Sequence, residues 1–254
     1  MGLADALFDL TGRVALVTGG SRGLGREMVL ALAACGADVV VASRDGEACH
    51  AVAAEVEATG RAALPYAVHA GRWDQLDGLV DAAYERFGRV DVLVNNAGMS
   101  PVYDSLGQVT ERLFDVVLNL NLKGPFRLSA LVGERMVAAG RGSIINVSST
   151  GSLRPNASIA PYAAAKAGLN SLTESFALAL GPTVRVNTLM AGPFATDAHP
   201  EWAAHTGVGD GIFPGHALQR AGAPQEVVGA ALYLACDASS YTTGATLRVD
   251  GGIP

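Results

Sequence analysis

Short runs of β-branched and aliphatic residues alternate with longer segments of helical periodicity along most of this 254-residue chain. Such strand–helix–strand repeats require right-handed crossovers, which place helices on both faces of a mostly parallel sheet. The sequence therefore predicts one doubly wound α/β domain over residues 1–254. The predicted strands are 13–18, 38–43, 62–69, 90–95, 143–148, 184–190 and 246–249. The predicted helices are 23–35, 47–59, 75–87, 110–139 with a break near Gly124 and Pro125, 161–180 and 224–236.

The composition excludes several classes of protein. Half of the residues are hydrophobic, 17% are charged and the formal net charge is −6, which argues against a nucleic-acid partner. No apolar run has the length of a membrane span, and the first ten residues carry no positively charged region of a secretory signal. Cys35, Cys49 and Cys236 are odd in number and far apart, as expected of free thiols. We therefore expect a cytoplasmic protein without a membrane or nucleic-acid partner.

A glycine-rich turn, TGGSRGLG at residues 18–25, joins the first predicted strand to the first predicted helix. Glycine allows a tight turn and lets a ligand approach the main chain closely. The helix that follows directs its free N–H groups and its positive dipole end at that ligand, so an anion such as a pyrophosphate fits there. The spacing of Gly19, Gly23 and Gly25 is G-x-x-x-G-x-G, which differs from the common G-x-G-x-x-G pattern. Taken alone, the pattern is also compatible with a simple turn.

Tyr162 and Lys166 are four residues apart in a predicted helix, which places both side chains on one face. The lysine charge is expected to lower the pKa of the phenol from its ordinary value of about 10. A tyrosine adjusted in this way exchanges a proton with an alcohol or carbonyl oxygen. An isolated pair of this kind is more typical of a surface helix, and Ser148 and Ser149 at the end of a strand are more typical of a turn.

Together these motifs resemble those of the classical short-chain dehydrogenase/reductase family, in the family's order and over nearly the whole chain. The matching motifs are TGGSRGLG at 18–25, NNAG at 95–98, NLKG at 121–124, Ser149, YAAAK at 162–166 and DGG at 250–252. The family's usual separation from the tyrosine selects Ser149 over Ser148, and the Leu-x-Gly that follows selects Asn121 over Asn119. The resemblance implies a Rossmann-type, seven-stranded sheet and a nicotinamide cofactor.

The resemblance also implies a role for each matching residue. Ser149 would hydrogen-bond the substrate oxygen, Tyr162 would give or take its proton, and Lys166 would hold the nicotinamide ribose and favour the tyrosinate. Asn121 would help to hold a water molecule in a proton relay. A hydride would pass between the substrate carbon and the nicotinamide ring. The residues expected to bind the cofactor are Gly19, Ser21, Arg22, Gly23, Leu24, Gly25, Ser43, Arg44, Asn95, Ala97, Gly98, Tyr162, Lys166, Gly192 and Thr196.

Two positions depart from the family pattern. His69 stands where relatives commonly have an aspartate that contacts adenine, which leaves that contact open. Ala191 precedes Gly192 and Pro193 where relatives commonly have Pro-Gly, so the loop beside the nicotinamide is expected to take a somewhat different path.

The choice of cofactor depends on the end of the second predicted strand. Relatives that use NAD tend to carry an acidic residue there, which accepts the ribose hydroxyls and repels a 2′-phosphate. This chain has Ser43 and Arg44, and Arg22 lies in the glycine turn. Two guanidinium groups and a hydroxyl suit a phosphate, and this interpretation is favoured over the alternative that both arginines are simply surface residues. We expect NADP(H), with NAD(H) as the alternative.

Residues 194–219, rich in Gly, His and Pro, interrupt the strand–helix alternation and are expected to form a lid over the substrate. Trp202, Ile212 and Phe213 would supply apolar contacts from this segment. Its histidines, at 199, 205 and 216, match no metal-ligand spacing, so no metal is predicted. Further candidates for the substrate pocket are Met99, Tyr103, Leu153, Met190 and Phe194.

The sequence thus predicts an NADP(H)-dependent oxidoreductase acting on a small-molecule ketone or secondary alcohol, such as a 3-oxoacyl thioester, a polyol or a xenobiotic carbonyl. The alternatives are an NAD-dependent alcohol or polyol dehydrogenase and a dinucleotide sensor without turnover. Relatives commonly associate through the two helices predicted at 110–139 and 161–180, and the second of these is rich in alanine. We therefore expect a homo-oligomer, a tetramer or a dimer.

Overall fold

The computed structural model describes residues 2–196 and 215–253. All seven predicted strands are present, and they form one sheet in which every pairing is parallel. The strands are β1 (Val14–Thr18), β2 (Asp38–Ser43), β3 (Ala63–Ala67), β4 (Val92–Asn95), β5 (Gly142–Ser149), β6 (Val184–Ala191) and β7 (Thr246–Val249). Their order in the sheet is β3-β2-β1-β4-β5-β6-β7. The Rossmann-type prediction is confirmed.

Helices cover both faces of the sheet. Within the described residues they are α1 (Leu3–Phe8), α2 (Gly23–Ala34), α3 (Gly46–Ala58), α4 (Trp73–Phe87), α5 (Glu111–Leu118), α6 (Gly124–Ala138), α7 (Ala160–Leu180) and α8 (Val228–Ala235). Alternate residues of each strand enter opposite layers of the core. Val17 of β1 packs in the layer with α2, α3 and α8, whereas its neighbour Leu16 packs in the layer with α4, α6 and α7. Both layers are built from buried aliphatic side chains, so both faces of the sheet are closed to water.

The predicted long helix at 110–139 is divided by a widened turn. A π-helical turn, Asn119–Lys123, lies between α5 and α6, where the sequence predicts only a break near Gly124 and Pro125. Gly124 is required at this place, because a Cβ there would lie 2.0 Å from the carbonyl oxygen of Ala70. The helix α1 was not predicted, and the predicted helix at 224–236 begins with a 3-10 turn, Pro224–Val227.

The order of the strands places a crevice at the carboxyl ends of β1 and β4. From β1 the chain moves to β2 and β3 at one edge, and it then returns to the other side of β1 to form β4. Loops leaving the two strands therefore diverge, which opens the position where doubly wound sheets bind ligands. No helix in the described part of the chain is long and apolar enough to cross a membrane.

Candidate active site

A cleft of about 770 Å³ opens at the carboxyl ends of the strands. It brings together residues from motifs that are far apart in the sequence. The predicted site residues on its wall are Gly19, Ser21, Arg22, Gly23, Leu24, Gly25, Ser43, Arg44, Ala97, Gly98, Ser149, Tyr162, Lys166, Gly192 and Thr196. Two predicted site residues, Asn95 and Asn121, lie behind the wall.

The glycine turn is shaped for close approach to the main chain. Gly19 and Gly23 have φ values of +65° and +52°, which favour glycine over other residues. A Cβ on Gly25 would lie 2.0 Å from the carbonyl oxygen of Gly19, so this position also requires glycine. No side chain caps the helix α2, whose first turn borders the cleft. The turn therefore presents main-chain N–H groups at a helix N-terminus, which suits a pyrophosphate.

The two asparagines of the NNAG motif have different positions. Asn95 is buried, and its Nδ2 donates to Asn146 Oδ1 (2.8 Å) and Ser129 Oγ (3.0 Å), which ties β4 to β5 and α6. Asn96 borders the cleft, and its Nδ2 donates to the carbonyl oxygen of Thr18 (3.0 Å) at the start of the glycine turn. Neighbouring residues of an extended chain point in opposite directions. We therefore correct the expected contact: Asn96 lies where a cofactor contact was predicted for Asn95.

Asn121 lies in the π-helical turn, and its side chain is fully buried. Its Nδ2 donates to the carbonyl oxygens of Met99 and Val117, both at 2.9 Å, and its Oδ1 accepts from Met99 N (3.3 Å). A Cβ on Gly98 would lie 2.8 Å from Asn121 Oδ1 and 3.6 Å from Lys166 Nζ. The asparagine thus holds the segment after NNAG beside the lysine. The relay through a water molecule stays a prediction.

Lys166 and Tyr162 extend from α7 towards the end of β5. Lys166 is only 3% exposed, and its Nζ donates to the carbonyl oxygen of Val147 (2.7 Å) while lying 5.8 Å from the centre of the Tyr162 ring. Burial lowers the pKa of Lys166 from 10.5 to about 8, because the charged form loses hydration. The amine therefore carries its proton at pH 7 but can lose it close to neutrality.

Tyr162 differs from its sequence-based expectation. Burial raises the pKa of the phenol above its ordinary value, and a hydrogen bond with Ser149 offsets part of that effect. The expected lowering by Lys166 does not appear among these causes, since the ammonium group is directed at Val147. Tyr162 is therefore a neutral phenol near pH 7, in the protonation state of a proton donor.

Ser149 is fixed by the turn that follows β5. Its Oγ accepts from the main-chain N–H of Gly151 (3.1 Å), so its own proton remains available to an oxygen atom in the cleft.

The first turn of α7 is held from outside the helix. Its N-cap, Ile159, forms no side-chain cap, and Ala160 N donates instead to the hydroxyl oxygen of Tyr103 (2.7 Å).

The residues proposed for the substrate pocket fall into two groups. Met99 and Phe194 border the cleft, together with Ser100. Tyr103, Leu153 and Met190 do not; Met190 is buried in β6.

The opposite end of the cleft is charged and open. Arg22 and Arg44 are exposed on its wall, and in residues 2–196 and 215–253 neither guanidinium forms a hydrogen bond or an ion pair. Ser43 Oγ is engaged with the main-chain N (3.3 Å) and O (3.2 Å) of Asp45. The carboxylate of Asp45 also borders the cleft, where its Oδ1 caps α3 by accepting from Ala48 N (3.0 Å). In the part of the chain that the structure describes, the serine hydroxyl is thus hydrogen-bonded, whereas the two guanidinium groups are not.

His69 is turned towards its own loop. Its Nδ1 accepts from Gly71 N (3.0 Å), and its neighbours Val68 and Ala70 border the cleft in its place. Adenine contact through this imidazole has no support in the geometry.

Sequence reasoning also missed Asp45, Leu120 and Ser148 on the cleft wall, although each adjoins a residue of a recognised motif.

Most of the predicted lid lies outside the described residues. Residues 197–214 are in that part of the chain, with His199, Trp202, His205, Ile212 and Phe213. At its start, Phe194 pairs with Gly222 in an isolated parallel bridge. Among the residues that are described, no group of three or more metal-ligating side chains is present.

The known proteins to which this chain is similar are dehydrogenases and reductases. A family model described as enoyl-(acyl carrier protein) reductase matches residues 19–254. A short chain dehydrogenase/reductase of Aspergillus oryzae is 37% identical over 251 residues, covering 97% of this chain and 96% of that protein. A 3-oxoacyl-(acyl-carrier-protein) reductase of Thermotoga maritima is 36% identical over 249 residues, covering 96% and 98%. The solved structure of a 3-oxoacyl (acyl-carrier-protein) reductase from Agrobacterium tumefaciens with NADP bound has a TM-score of 0.91 and 33% identity, covering 99% and 98%.

Proposed function

Because the chain belongs to the short-chain dehydrogenase/reductase family, we propose that it is an NADP(H)-dependent oxidoreductase that interconverts a ketone and a secondary alcohol. One observation carries this proposal. Ser149, Tyr162 and Lys166 meet on the wall of a single cleft, and the glycine turn borders the same cleft. A proton-transfer group and an anion-binding helix N-terminus are the two parts that a dinucleotide-dependent dehydrogenase requires.

The described residues fit a dinucleotide. The glycine turn leaves room where a Cβ would collide with the main chain, and the guanidinium groups of Arg22 and Arg44 have no partner within residues 2–196 and 215–253. When bound, the nicotinamide supplies or accepts the hydride. Lys166 would hold the nicotinamide ribose, and Gly192 and Thr196, which border the same cleft, would hold the nicotinamide ring.

The protein's own residues orient the substrate oxygen and exchange a proton with it. The Oγ of Ser149 already accepts from Gly151 N, so its hydroxyl proton is donated to the substrate oxygen and orients the substrate. Tyr162, a neutral phenol, transfers its proton to the oxygen during reduction. Lys166, whose Nζ lies 5.8 Å from the centre of the Tyr162 ring, then returns a proton to the tyrosinate, which its pKa of about 8 allows near neutral pH. In the oxidative direction the same groups act in reverse order.

The preference for NADP(H) is supported by Arg22 and Arg44, since an ionised phosphate forms strong hydrogen bonds with guanidinium groups. Asp45 favours the second candidate, an NAD-dependent dehydrogenase. Its carboxylate borders the cleft next to Arg44, where it would accept ribose hydroxyls and repel a 2′-phosphate. Two positive charges against one negative charge, with that negative charge engaged in capping α3, favour the phosphate.

The described part of the cleft offers apolar side chains to a substrate. Met99 and Phe194 border the same cleft as Ser149 and Tyr162, which favours a carbonyl compound with an apolar substituent. A 3-oxo ester is the natural first substrate to test, because the Thermotoga maritima relative is a 3-oxoacyl reductase.

Further features of the proposal concern the whole protein. We propose that residues 1–254 form one domain, with 194–219 as a lid, and that the protein acts in the cytoplasm, in keeping with its three free cysteines. Exposed apolar side chains on the outer helices, such as Phe114, Phe126 and Leu178, support a homo-oligomer, a dimer or tetramer. Light scattering at micromolar concentration tests the assembly, and a monomeric mass would refute it.

The test of the activity is the oxidation of NADPH by ethyl acetoacetate, followed at the nicotinamide absorbance band. Tyr162→Phe should lower kcat about 10³-fold, because only the proton-transfer group is removed, and leave the Kd of NADPH within about twofold of wild type. Tyr241→Phe, on a fully exposed tyrosine, is the matched control and should retain full activity. Undiminished turnover of Tyr162→Phe would exclude the proposed role. Tight NADPH binding without turnover of any carbonyl or alcohol would instead indicate the sensor.

A further inference from the structure

A chain of hydrogen bonds joins the main chain of Ser149 to the helix α7. Asn170 Nδ2 donates to Ser152 Oγ (2.9 Å), and Ser152 Oγ donates to the carbonyl oxygen of Ser149 (2.6 Å). Ser149 borders the cleft, whereas neither Ser152 nor Asn170 does, and neither of these two residues belongs to the motifs recognised in the sequence.

The donors and acceptors in this series of hydrogen bonds are defined. Ser152 has a single hydroxyl proton, and because that proton goes to Ser149 O, the hydroxyl must act as an acceptor towards Asn170. Ser149 Oγ accepts from Gly151 N within the same turn. The turn from Ser149 to Ser152 therefore holds both the carbonyl and the side chain of Ser149. Only the hydroxyl proton of Ser149 remains uncommitted to the turn.

The position of Asn170 in α7 shows that these hydrogen bonds connect Ser149 to the face of α7 that carries Tyr162 and Lys166. Asn170 is four residues after Lys166 and eight after Tyr162, so the three side chains follow one another along one face of the helix. A second tie between β5 and this face runs from Lys166 Nζ to the carbonyl oxygen of Val147 (2.7 Å). That tie uses the amine that the proposed reaction requires elsewhere. The link through Ser152 uses no reacting group.

The amide of Asn170 also costs free energy of folding. Its Oδ1 is buried and has no hydrogen-bond partner in the described part of the chain. A buried acceptor without a partner is unfavourable, and a leucine of similar size would remove it. Packing alone therefore does not account for an amide at this position, whereas the donor towards Ser152 does.

We propose that Ser152 and Asn170 are positioning residues for Ser149: they hold its main chain to α7, so that its hydroxyl stays at a fixed place beside Tyr162. This inference rests on the proposed function, because it assigns to Ser149 the orientation of the substrate oxygen. Neither residue touches the substrate. Their effect is expected only through Ser149, which makes it separable from a general effect on folding.

The test is a double-mutant cycle with NADPH and ethyl acetoacetate. Asn170→Leu and Ser152→Ala should each lower kcat about tenfold in the wild-type background, since small misplacements of reacting groups are costly. In the Ser149→Ala background the same substitutions should have no further effect. Ser152→Thr, which keeps the hydroxyl, should restore most of the activity. The midpoint of urea unfolding of Asn170→Leu should be unchanged or higher.

The matched control is Ser175→Ala, an exposed serine of α7 whose hydroxyl bonds to Ser171 O. It should leave kcat unchanged. Equal losses of kcat in the wild-type and Ser149→Ala backgrounds would show a general structural effect and overturn the proposal. So would full activity of Ser152→Ala.

A second measurement requires no turnover. The ¹³Cζ chemical shift of labelled Tyr162 at pH 8 reports its hydrogen bond with Ser149. Ser152→Ala and Asn170→Leu should move this resonance in the same direction as Ser149→Ala, and Ser175→Ala should not. An unmoved resonance would overturn the positioning role. If wild type reduces no carbonyl, the proposed function fails, and this resonance alone decides the proposal.

Discussion

The two ends of the cleft are constructed in different ways. At the reacting end, Lys166 is 3% exposed and Asn121 is fully buried, and both are hydrogen-bonded to main-chain atoms. At the nucleotide end, Arg22 and Arg44 are exposed and, among the described residues, form neither a hydrogen bond nor an ion pair. The reacting end thus depends on fixed geometry in a desolvated site, whereas the nucleotide end depends on charge in water.

This contrast predicts different sensitivities. A buried, hydrogen-bonded group responds strongly to small changes, because its partners cannot replace it with water. An exposed guanidinium acts through Coulomb attraction, which salt screens and a neighbouring charge can reverse. Substitutions at the reacting end should therefore change kcat and the pH dependence of stability, and those at the nucleotide end should change cofactor affinity and its dependence on salt.

After the loss of kcat expected for Tyr162→Phe, the largest effect should follow from Lys166→Met, which removes the buried amine and keeps an unbranched chain. We expect kcat to fall by about 10²-fold or more, since the amine proposed to return a proton to Tyr162 is lost. Stability should respond as well. The pKa of Lys166 is about 8 in the folded protein against 10.5 in the unfolded chain, so the unfolded chain binds more protons between these pH values. Wild-type stability should therefore rise relative to Lys166→Met from pH 8 to pH 10.5, by at most about 3 kcal/mol.

Urea unfolding of both proteins at pH 7.5, 9 and 10.5 measures this difference. The variant serves as the reference for every other group that titrates in the range. Parallel pH profiles would mean that the amine is as well hydrated in the folded protein as in the unfolded chain. The reacting end would then resemble the nucleotide end, and the contrast would be wrong.

The next effect concerns the choice of cofactor. Ser43→Asp combined with Arg44→Ala should weaken NADPH binding about 10- to 100-fold and make NADH the preferred cofactor, since a charge-assisted hydrogen bond contributes about 1.5–3 kcal/mol. The values of kcat with each saturating cofactor should change little. The measurement is the Kd of both cofactors at low and moderate salt, where the wild-type preference for NADPH should decrease as salt is added.

Arg112→Ala, an exposed arginine of α5 away from the cleft, is the matched control for the loss of one positive charge. It should leave the ratio of the two Kd values unchanged. Equal wild-type affinities, or tighter binding of NADH, would return the NAD-dependent alternative to first place.

The smallest effect is expected for Tyr103→Phe. The hydroxyl oxygen of Tyr103 accepts from Ala160 N, and among the described residues the N-cap Ile159 provides no side-chain cap for α7. Its loss should lower the free energy of unfolding by about 1 kcal/mol, the usual net contribution of one hydrogen bond. Thermal unfolding of the two proteins measures it. Tyr233→Phe, which removes a hydroxyl paired with Thr242 far from the cleft, gives the comparison. A loss of activity without loss of stability would place Tyr103 in the site itself.

The seven strands and the glycine turn could be predicted because short runs of β-branched and aliphatic residues and the spacing of glycines are local properties of the chain. Gly25 is one example, where the need for glycine appears in the sequence and a collision with the main chain explains it. The position of Asn95 could not be predicted in the same way. NNAG shows two adjacent amides, and only the direction of β4 decides which one borders the cleft.

Other features depended on distant parts of the chain. The pKa of Tyr162 rises with burial, which the spacing to Lys166 does not reveal. The link between Ser152 and Asn170 has no motif, since eighteen positions of sequence separate its two ends. These features arise when β5 and α7 pack together, and a single sequence contains no local sign of that contact.

The π-helical turn Asn119–Lys123 has a consequence for insertions and deletions. Such a turn behaves as an α-helix with one residue added, and one residue advances a helix by 1.5 Å and about 100°. Removing a residue here would give a regular helix with nearly unchanged length, but it would rotate α5 against α6. The side chain of Asn121 would then no longer face Met99, whose main-chain N–H and carbonyl group it now binds. The phase of this helix, more than its length, is therefore the property that a single-residue deletion would disturb.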